Sequence, residues 1–454
     1  MHHPDLHDRA RPAGSWWEAS APPLRFMPEQ FSGSQHFDVA IIGAGYAGLN
    51  AALVLARDHG MKVAVFEAGA VGWGASGRNG GFCCPGSAKL SWERMLARHG
   101  EEATRAFHSA QRAAVDHVGE LLGSCNIDAD PVERGELLLA HRPSRLAELQ
   151  QESELLLRLF GETTTVLPPE GLAETGVRGP MFHGGLLGTS TFGLHPLKYL
   201  RGLAFAAHAA GAMIFANSPV TGWKRTAGNH VLTLPGARAT ARAILVATNG
   251  YGDDALSPAL SGRFLPALSR ILVTRPLAQD ELLAQGWTST IPSADTRRLL
   301  HYFRLLPDGR FLFGGRGGLD GSQGGVRRSL AGLRAMFEAM FPAWSKVETE
   351  YSWSGLVCLT RPLTPFAGSL EGIEGAYAAF GWHGNGVAMA SYAGNRIAGQ
   401  IAFGFSGRSS RASVGASGLP AIMQQVPAAF PLARFRLFWL RAAYAWYAIS
   451  DARP

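Results

Sequence analysis

An apolar run near the start of the chain is followed by a glycine-rich turn and then by a helical repeat. Residues 37–42 are apolar except at one position and are followed by a glycine, which predicts a buried parallel strand. Apolar residues then recur at the spacing of one helix face: Leu49, Ala52, Leu53 and Ala56. Residues 62–66 predict a second buried strand. Residues 37–67 therefore predict one complete βαβ unit.

The patterns beyond residue 67 alternate between helical and extended segments. Helices are predicted within 92–122, at 145–160 and at 197–210, and strands at 136–140, 212–219 and 243–247. Residues 265–350 are predicted to form alternating strands rich in aromatic and arginine side chains, hence a second, largely antiparallel sheet. A last glycine-rich turn, 381–386, leads into a helix predicted from Val387 to about Ala402. These patterns predict an α/β (α+β) fold.

The composition narrows the class of protein. With 454 residues, 46% of them hydrophobic, the chain can bury a large core and form more than one domain. The four cysteines form no CxxC pair, and no histidine cluster has metal-ligand spacing, so we expect reduced thiols, no metal and a cytoplasmic location. Residues 1–23 contain no apolar core of signal-peptide length, so no export is expected.

The formal charge of +7 bears on the kind of partner. The arginines are scattered and do not form one run with stacking aromatic residues, which argues against nucleic acid. Two interpretations remain: anionic small molecules as ligands, or a surface of ordinary composition.

The segment 428–449 is strongly aromatic and aliphatic. Arg434, Arg436 and Arg441 interrupt it before it could span a bilayer. The segment is therefore predicted not to be a transmembrane helix. Either a helix packed on the body of the protein or a contact with a membrane surface would explain its composition.

Residues 43–48, with the sequence GAGYAG, lie between the first strand and its helix, where a dinucleotide-binding fingerprint belongs. Gly43 allows the tight turn, Gly45 lets the backbone approach a pyrophosphate, and Gly48 lets the helix pack closely on the strand. The N–H groups and the dipole of the helix then face the phosphates. Glu67 ends the second strand, where a carboxylate accepts the ribose hydroxyls and repels the extra phosphate of NADP.

The next loop, 71–81, bears on the choice between FAD and NAD. Its sequence, VGWGASGRNGG, is small, flexible and rich in donors, as a backbone wrapped around a long cofactor requires. An ordinary surface loop is the alternative interpretation of the same residues.

Several blocks in order carry a family resemblance: SWWEAS at 15–20, GASGRNGG at 74–81, TNGY at 248–251, YFR at 302–304, FGGR at 313–316, WSG at 353–355 and GWHG at 381–384. Together they resemble the gamma-glutamylputrescine oxidoreductase-like branch of the D-amino-acid oxidase superfamily, over residues 15–402. The resemblance implies a Rossmann-like FAD-binding domain interleaved with a largely antiparallel-sheet substrate domain.

The resemblance also implies which residues hold FAD. The first glycines and Glu67 would bind the pyrophosphate and ribose, the 74–81 loop would lead to the flavin, and Val220 and Ala247 would lie near the adenosine. The predicted cofactor residues are Gly43, Gly45, Tyr46, Ala47, Gly48, Glu67, Ala68, Gly74, Ala75, Ser76, Arg78, Asn79, Gly80, Gly81, Val220, Ala247, Thr248, Asn249, Gly250, Gly384, Asn385, Gly386 and Val387. The last four open a helix whose N–H groups suit the negative charge that reduced flavin gathers at its pyrimidine edge.

Departures from relatives matter as well. Arg78 stands where dimethylglycine dehydrogenase-like enzymes tether the flavin through histidine, and Gly355 where sarcosine oxidase-like enzymes use cysteine, so we expect non-covalent FAD. Leu312 stands where sarcosine oxidase-like enzymes place an oxygen-activating lysine, which leaves oxygen use open. Residues 360–362, TRP, replace the usual TPD and alter either the pocket or a surface turn.

The expected reaction is oxidation of the C–N bond of a small amine or amino acid. A hydride passes to flavin N5 from the carbon bearing a neutral amine, and the imine is then hydrolysed. The candidate catalytic and substrate-binding residues are His383, Trp382, Tyr302, Arg304 and Arg316. His383 is the candidate proton acceptor.

Two alternatives stay open at this point. Electrons could pass from the flavin to a quinone or carrier protein in place of oxygen. Alternatively, the protein could bind a dinucleotide for regulation or assembly without turning over a substrate.

The expected domain division follows from the patterns and the resemblance. The FAD-binding domain is assigned 37–125, 186–255 and 351–405, and the substrate domain 126–185 and 256–350. An N-terminal arm, 1–36, and a C-terminal tail, 406–454, complete the chain.

Overall fold

The computed structural model describes residues 3–405 and 418–452, so part of the predicted tail, 406–417 and 453–454, lies outside the described residues. The strands are β1 Gly33–Ile42, β2 Val63–Phe66, β3 Phe82–Cys83, β4 Glu136–Leu139, β5 Thr165–Leu167, β6 Gly185–Gly188, β7 Phe192–Gly193, β8 Met213–Phe215, β9 Gly222–Thr226, β10 Asn229–Leu234, β11 Ala237–Val246, β12 Phe264–Thr274, β13 Ser293–Asp295, β14 His301–Leu305, β15 Phe311–Arg316, β16 Thr349–Thr360, β17 Phe366–Ser369 and β18 Ala376–Phe380.

The α-helices are α1 Trp16–Ser20, α2 Tyr46–Arg57, α3 Trp92–His99, α4 Glu101–Ser124, α5 Pro143–Phe160, α6 Pro169–Glu174, α7 Pro196–Ala209, α8 Gln279–Gln285, α9 Gln323–Met340, α10 Gly386–Phe405, α11 Ala421–Gln424 and α12 Arg436–Ala452. Among these residues, none of the helices has the length and apolar character needed to span a bilayer.

The first sheet has the order β17-β18-β11-β1-β2-β8, with the hairpin β9–β10 attached to β11. The pairs from β18 to β8 are parallel. Val39 and Ile41 of β1 pack on one side of the sheet and Ala40 and Ile42 on the other, so the strand is buried on both faces. The predicted unit at 37–67 is confirmed as β1–α2–β2.

The second sheet has the order β16-β12-β15-β14-β13-β4-β6-β5 and is antiparallel except between β13 and β4. Its core is strongly aromatic and includes Phe303, Phe311 and Phe313. The predicted combination of a Rossmann-like domain with a largely antiparallel-sheet domain is therefore confirmed.

The sequence patterns do not predict helix α9, because they indicate strands throughout residues 265–350. Its apolar residues Leu333, Phe337 and Met340 recur at intervals of three and four and are buried against the second sheet. The aromatic content of this region obscured that helical spacing.

Two predicted domain boundaries need correction. Strand β6 continues to Gly188, and all of β16, Thr349–Thr360, pairs with β12 in the second sheet. The chain therefore returns to the first sheet after residues 188 and 360, and not at 186 and 351. The hydrogen-bonded register of β16 decides this, and no local pattern at residue 350 reveals it.

The predicted N-terminal arm is part of the packed body from α1 onwards. Ser15 caps α1, with the reciprocal bonds of a capping box to Glu18. The side chain of Trp17 is 2% exposed, and its Nε1 donates to the carbonyl oxygen of Asn79 at 2.8 Å. This helix thus supports the glycine-rich loop at 74–81.

Candidate active site

The first glycine turn is built so closely that side chains would not fit. Gly43 has φ of +106°, and its N–H donates to the carbonyl oxygen of Phe66 at 2.9 Å. A Cβ at Gly43 would lie 2.9 Å from the carbonyl oxygen of Ala247, and one at Gly48 would lie 2.0 Å from that of Gly43. Both glycines are therefore required by backbone packing.

A cavity of about 430 Å³ begins at this turn and is within the size range of small-molecule sites. Most of the predicted cofactor residues line it: Gly43, Gly45, Tyr46, Ala47, Glu67, Ala68, Gly74, Ala75, Ser76, Arg78, Asn79, Gly80, Val220, Ala247, Thr248, Asn249, Gly384, Asn385, Gly386 and Val387. The cavity is thus a continuous path from the fingerprint of β1–α2 to the start of α10.

Three predicted cofactor residues, Gly48, Gly81 and Gly250, are absent from this lining. Gly48 serves the contact between α2 and the turn described above. A Cβ at Gly81, whose φ is +74°, would lie 2.1 Å from the carbonyl oxygen of Leu194. Gly250 packs against Leu356 of β16. These glycines shape the walls of the cavity without lining it.

Glu67 lies beside the turn, as a ribose-binding carboxylate requires. Its Oε2 accepts the N–H of Ala44 at 2.9 Å, and its Oε1 accepts the N–H of Gly69 at 3.1 Å. Burial raises the pKa of this carboxyl group, an effect that these two backbone donors oppose. His7 and Arg9 of the N-terminal arm line the same cavity and were not predicted.

The loop at 74–81 is held by hydrogen bonds to fixed backbone. The hydroxyl of Tyr46 donates to the carbonyl oxygen of Ser76 at 2.8 Å, and Asn79 Nδ2 donates to the same oxygen at 3.0 Å. Arg78 Nε donates to the carbonyl oxygen of Trp73 at 2.5 Å. Arg78 thus braces the backbone of this loop.

The start of α10 forms the opposite end of the cavity. Gly384 has φ of +109°, and Asn385 Nδ2 donates to the carbonyl oxygen of Pro85 at 2.9 Å. The helix begins at Gly386, so its first N–H groups have no partner within the helix. Trp382 is 4% exposed and lines the cavity beside them. These residues fit the pyrimidine edge of a flavin.

His383 is not placed as a general base, contrary to the sequence hypothesis. Its Nδ1 donates to the carbonyl oxygen of Ser87 at 2.8 Å, and its Nε2 accepts the N–H of Thr360 at 3.2 Å. Burial lowers the pKa of this fully buried ring to about 3. Both nitrogens are committed to the protein, so His383 is a structural residue that joins β16 to the turn before α10.

Arg304 does not line the cavity, so its predicted role in binding substrate is wrong. It is a positioning residue. It is 1% exposed, its Nε donates to the carbonyl oxygen of Gly80 at 3.1 Å, and its Nη2 donates to that of Leu194 at 2.6 Å. Burial lowers the pKa of the guanidinium to about 9. Arg304 therefore braces the glycine-rich loop and has no route to a substrate carboxylate.

Tyr302 and Arg316 do line the cavity, as predicted candidates for the substrate side. The hydroxyl of Tyr302 is 2.9 Å from Ser269 Oγ. Arg316 Nη2 donates to the carbonyl oxygen of His383 at 3.5 Å, a long bond that leaves most of the guanidinium for another partner. The sheet thus presents a phenol and a cation to the same space.

Lys89 is a further cavity residue that the sequence patterns do not predict. It lines the cavity, and burial by the surrounding walls, followed by the charge of Arg316, lowers its pKa to about 8. The signal in the sequence is weak: Lys89, one of five lysines in the chain, lies in a loop of small residues. Leu312, which the resemblance aligns with the oxygen-activating lysine, is fully buried and lies outside the lining.

Glu136, at the start of β4, is a second unpredicted member of this group. It lines the cavity, and its Oε2 accepts the hydroxyl of Thr191 at 2.6 Å. Burial raises the pKa of Glu136, while the positive charge of Lys89 opposes that rise. The cavity therefore combines the cations Lys89 and Arg316 with the carboxyl groups of Glu136 and Asp295, which lie on the paired strands β4 and β13.

Comparison with known proteins agrees with this geometry. Residues 38–400 match the family model described as FAD dependent oxidoreductase. The chain is 32% identical over 447 residues to probable oxidoreductase OrdL of Rhizobium meliloti, covering 97% of this chain and 98% of that protein. It is 32% identical over 368 residues to gamma-glutamylputrescine oxidoreductase of Escherichia coli, covering 80% and 82%.

A solved structure shares the fold. Glycine oxidase from Geobacillus kaustophilus matches with a TM-score of 0.67 and 23% identity, over 81% of this chain and 94% of that one. The family, the fold and the glycine cradle together identify the cofactor as FAD. The protein belongs to the FAD-dependent oxidoreductase family, in the branch that resembles gamma-glutamylputrescine oxidoreductase.

Proposed function

We propose that the protein oxidises a C–N bond of an amine or amino acid that also carries a carboxylate. The observation that carries this proposal is the position of Arg316 and Lys89, which line the same cavity as the dinucleotide turn. Relatives named gamma-glutamylputrescine oxidoreductase and glycine oxidase support the amine class.

Apart from the amine and the FAD that accepts its electrons, the proposed reaction consumes only water. The carbon loses a hydride, for which bound FAD is the acceptor, and the nitrogen loses a proton. Water then adds to the C=N bond and releases a carbonyl compound and an amine.

Arg316 is the proposed partner of the carboxylate. A guanidinium binds a carboxylate through two parallel N–H···O bonds, and the Nη2 contact with His383 is too long to occupy it fully. Tyr302 and Trp382 line the same cavity, and their aromatic rings would limit the access of water to this pair. This arrangement strengthens a charge pair relative to the same pair in bulk water.

Lys89 is the proposed proton acceptor, in the role that the sequence hypothesis gave to His383. A free lysine has a pKa of roughly 10.4, and at that value almost none is neutral near pH 7. With its pKa lowered to about 8, a useful fraction of Lys89 is neutral and accepts a proton from the substrate ammonium. Glu136 lines the same cavity, and we assign it to binding the substrate ammonium before Lys89 takes up its proton.

The proposal is tested by mixing the FAD-loaded enzyme anaerobically with pairs of amines that differ only by a carboxylate. We expect the carboxylate-bearing member to bleach the flavin absorbance at lower concentration. Arg316→Gln should raise its half-saturating concentration roughly 10- to 100-fold, while the plain amine is unaffected. Equal responses to both members in the parent enzyme would contradict the proposed substrate class.

Two electron acceptors are candidates. The first is oxygen, for which Lys89 supplies a cation in the cavity, whereas the apolar side chain of Leu312 supplies none. An exposed apolar helix near the carboxyl terminus favours the second candidate, a dehydrogenase that reduces a membrane quinone. Reoxidation of the reduced enzyme by oxygen and by a soluble quinone distinguishes them.

We also propose that the protein acts in the cytoplasm, because its four cysteines are free thiols.

A further inference from the structure

Exposed apolar side chains are concentrated near the carboxyl terminus. Among the described residues, nine large hydrophobic side chains are exposed, and six of them lie between 432 and 449. They are Leu432, Phe435, Phe438, Trp439, Trp446 and Ile449. Soluble proteins rarely gather so many large apolar groups at one place without a partner.

Five of these side chains form one face of a helical segment. Phe435 directly precedes α12, and Phe438, Trp439, Trp446 and Ile449 follow at helical intervals. Ala442, which is also exposed, fills the gap between the two tryptophans. A helix of this length extends over roughly 25 Å, so the stripe is long and narrow.

The opposite face of α12 is attached to the body of the protein. Arg436 donates to Asp254 at 2.6 Å, and Leu440, which is 5% exposed, packs in a cluster with Leu265. At the other end, the carboxylate of Asp451 accepts the N–H groups of Arg298 at 2.9 Å and Leu299 at 3.0 Å. The apolar stripe is therefore the outer face of a helix that is already docked.

The exposed charged side chains of the segment that carries the stripe have one sign. Arg434 and Arg441 are exposed on the segment, and Arg298 is exposed beside it, over the ring of Tyr447. The carboxylate of α12, Asp451, is engaged on the inner side. A second copy packed through the same face would oppose arginine with arginine and offer no acidic complement from this segment. Anionic lipid headgroups are complementary to it.

We propose that the outer face of α12 binds the enzyme to the surface of an anionic lipid bilayer. Tryptophan and phenylalanine with flanking arginines are the composition of helices that lie in the plane of a membrane interface. The helix lies beyond residue 400, where the family match ends, so the shared FAD fold does not explain it.

The docked helix also adjoins the active-site cavity. Asp451 binds the N–H of Leu299, and the next residue, Leu300, lines the cavity. The charge of Arg316, another lining residue, acts on the Tyr444 hydroxyl of α12. A bilayer bound at the stripe would therefore be separated from the wall of the site by α12, which is roughly 10 Å thick with its side chains. The inference about lipid binding does not depend on which amine is oxidised.

The test is co-sedimentation of the FAD-loaded enzyme with phosphatidylcholine vesicles that contain or lack phosphatidylglycerol. We expect binding to the anionic vesicles that weakens as salt is raised. Trp439→Gln combined with Trp446→Gln should lower the bound-to-free ratio at least roughly ten-fold, because two aromatic side chains no longer enter the interface. Leu157→Gln, at an exposed apolar residue of α5, is the matched control and should bind as the parent does.

Three outcomes would overturn the proposal. They are absence of the parent from the vesicle pellet, binding that ignores phosphatidylglycerol and salt, and self-association in solution that the tryptophan variant abolishes. The last result would assign the face to a second copy of the chain. Amine-dependent flavin reduction in solution should be unchanged in the tryptophan variant, and this separates failure of lipid binding from failure of the proposed function.

Discussion

Oε2 of Glu67 accepts a hydrogen bond from the N–H of Ala44 at 2.9 Å, which fixes this carboxylate beside the turn formed by Gly43 and Gly45. Strand β2 ends at Phe66, so the carboxylate reaches the turn from the neighbouring strand. The contact places a negative charge and two acceptor oxygens at the mouth of the dinucleotide cradle.

We expect Glu67→Gln to weaken FAD binding roughly ten-fold. The amide keeps one acceptor oxygen but loses the charge that strengthens bonds from ribose hydroxyls. The dissociation constant is measured from the fluorescence of FAD released during dilution. Glu371→Gln, at an exposed carboxylate, is the control. Equal FAD affinity in the Glu67 variant and the parent would contradict the assignment.

FAD should be bound without a covalent bond. Cys84 and Cys358 line the cavity, but burial raises the pKa of both thiols, and that of Cys358 reaches about 12. The thiolate needed for attachment is therefore scarce. We expect acid precipitation to release the flavin into the supernatant, where its absorbance is measured. Flavin retained in the protein pellet would show a tether.

His383 should contribute to stability with a defined pH dependence. Its folded pKa of about 3 lies below the ordinary value of 6.5, so the unfolded chain binds the proton more strongly. Its contribution is complete above about pH 6.5 and is lost as pH falls towards 3, at up to about 1.4 kcal/mol per pH unit. We measure the free energy of unfolding with urea between pH 7 and roughly pH 4.5. It should fall less steeply with decreasing pH for His383→Asn than for the parent.

The same variant distinguishes the structural role from the rejected catalytic one. Asparagine cannot replace both hydrogen bonds of the ring. The free energy of unfolding of His383→Asn should therefore be about 1–3 kcal/mol lower at pH 7, because the N–H of Thr360 is left without a partner. A variant that stayed stable and kept FAD, but reduced it slowly with recovery at high pH, would restore the general-base hypothesis.

Lys89 should control the pH dependence of flavin reduction. In the parent, the anaerobic reduction rate should rise through about pH 8 as the neutral amine form of Lys89 accumulates. Lys89→Met should lose that rise and slow reduction roughly 100-fold at pH 7. Lys224→Met, at an exposed residue of the hairpin β9–β10, is the control. A pH profile unchanged in Lys89→Met would remove Lys89 from the proton transfer.

The parts of the fold that depend on local spacing could be predicted from the sequence. The unit β1–α2–β2 could be predicted because glycines, apolar runs and Glu67 lie close together in the chain. The membership of β16 in the second sheet could not, because its pairing with β12 joins residues far apart in sequence. Similarly, α9 was hidden by aromatic residues that suit a strand as well as a helix.

Local sequence patterns also do not predict which side chains line the candidate site. Arg304 and Arg316 are both arginines of strands in the second sheet, but one braces Gly80 and the other lines the cavity. Lys89 lies in a loop with no motif of its own. Which side chain enters a shared space depends on tertiary packing, so the spacing of residues could not distinguish these roles.

Oxidation of a C–N bond can be decided by an anaerobic titration of the FAD-loaded enzyme with a carboxylate-bearing amine. We predict that the flavin absorbance bleaches in proportion to the amine added, and that one carbonyl product forms for each flavin reduced. If a broad panel of amines and amino acids leaves the flavin oxidised, while dithionite bleaches it, the protein does not oxidise C–N bonds.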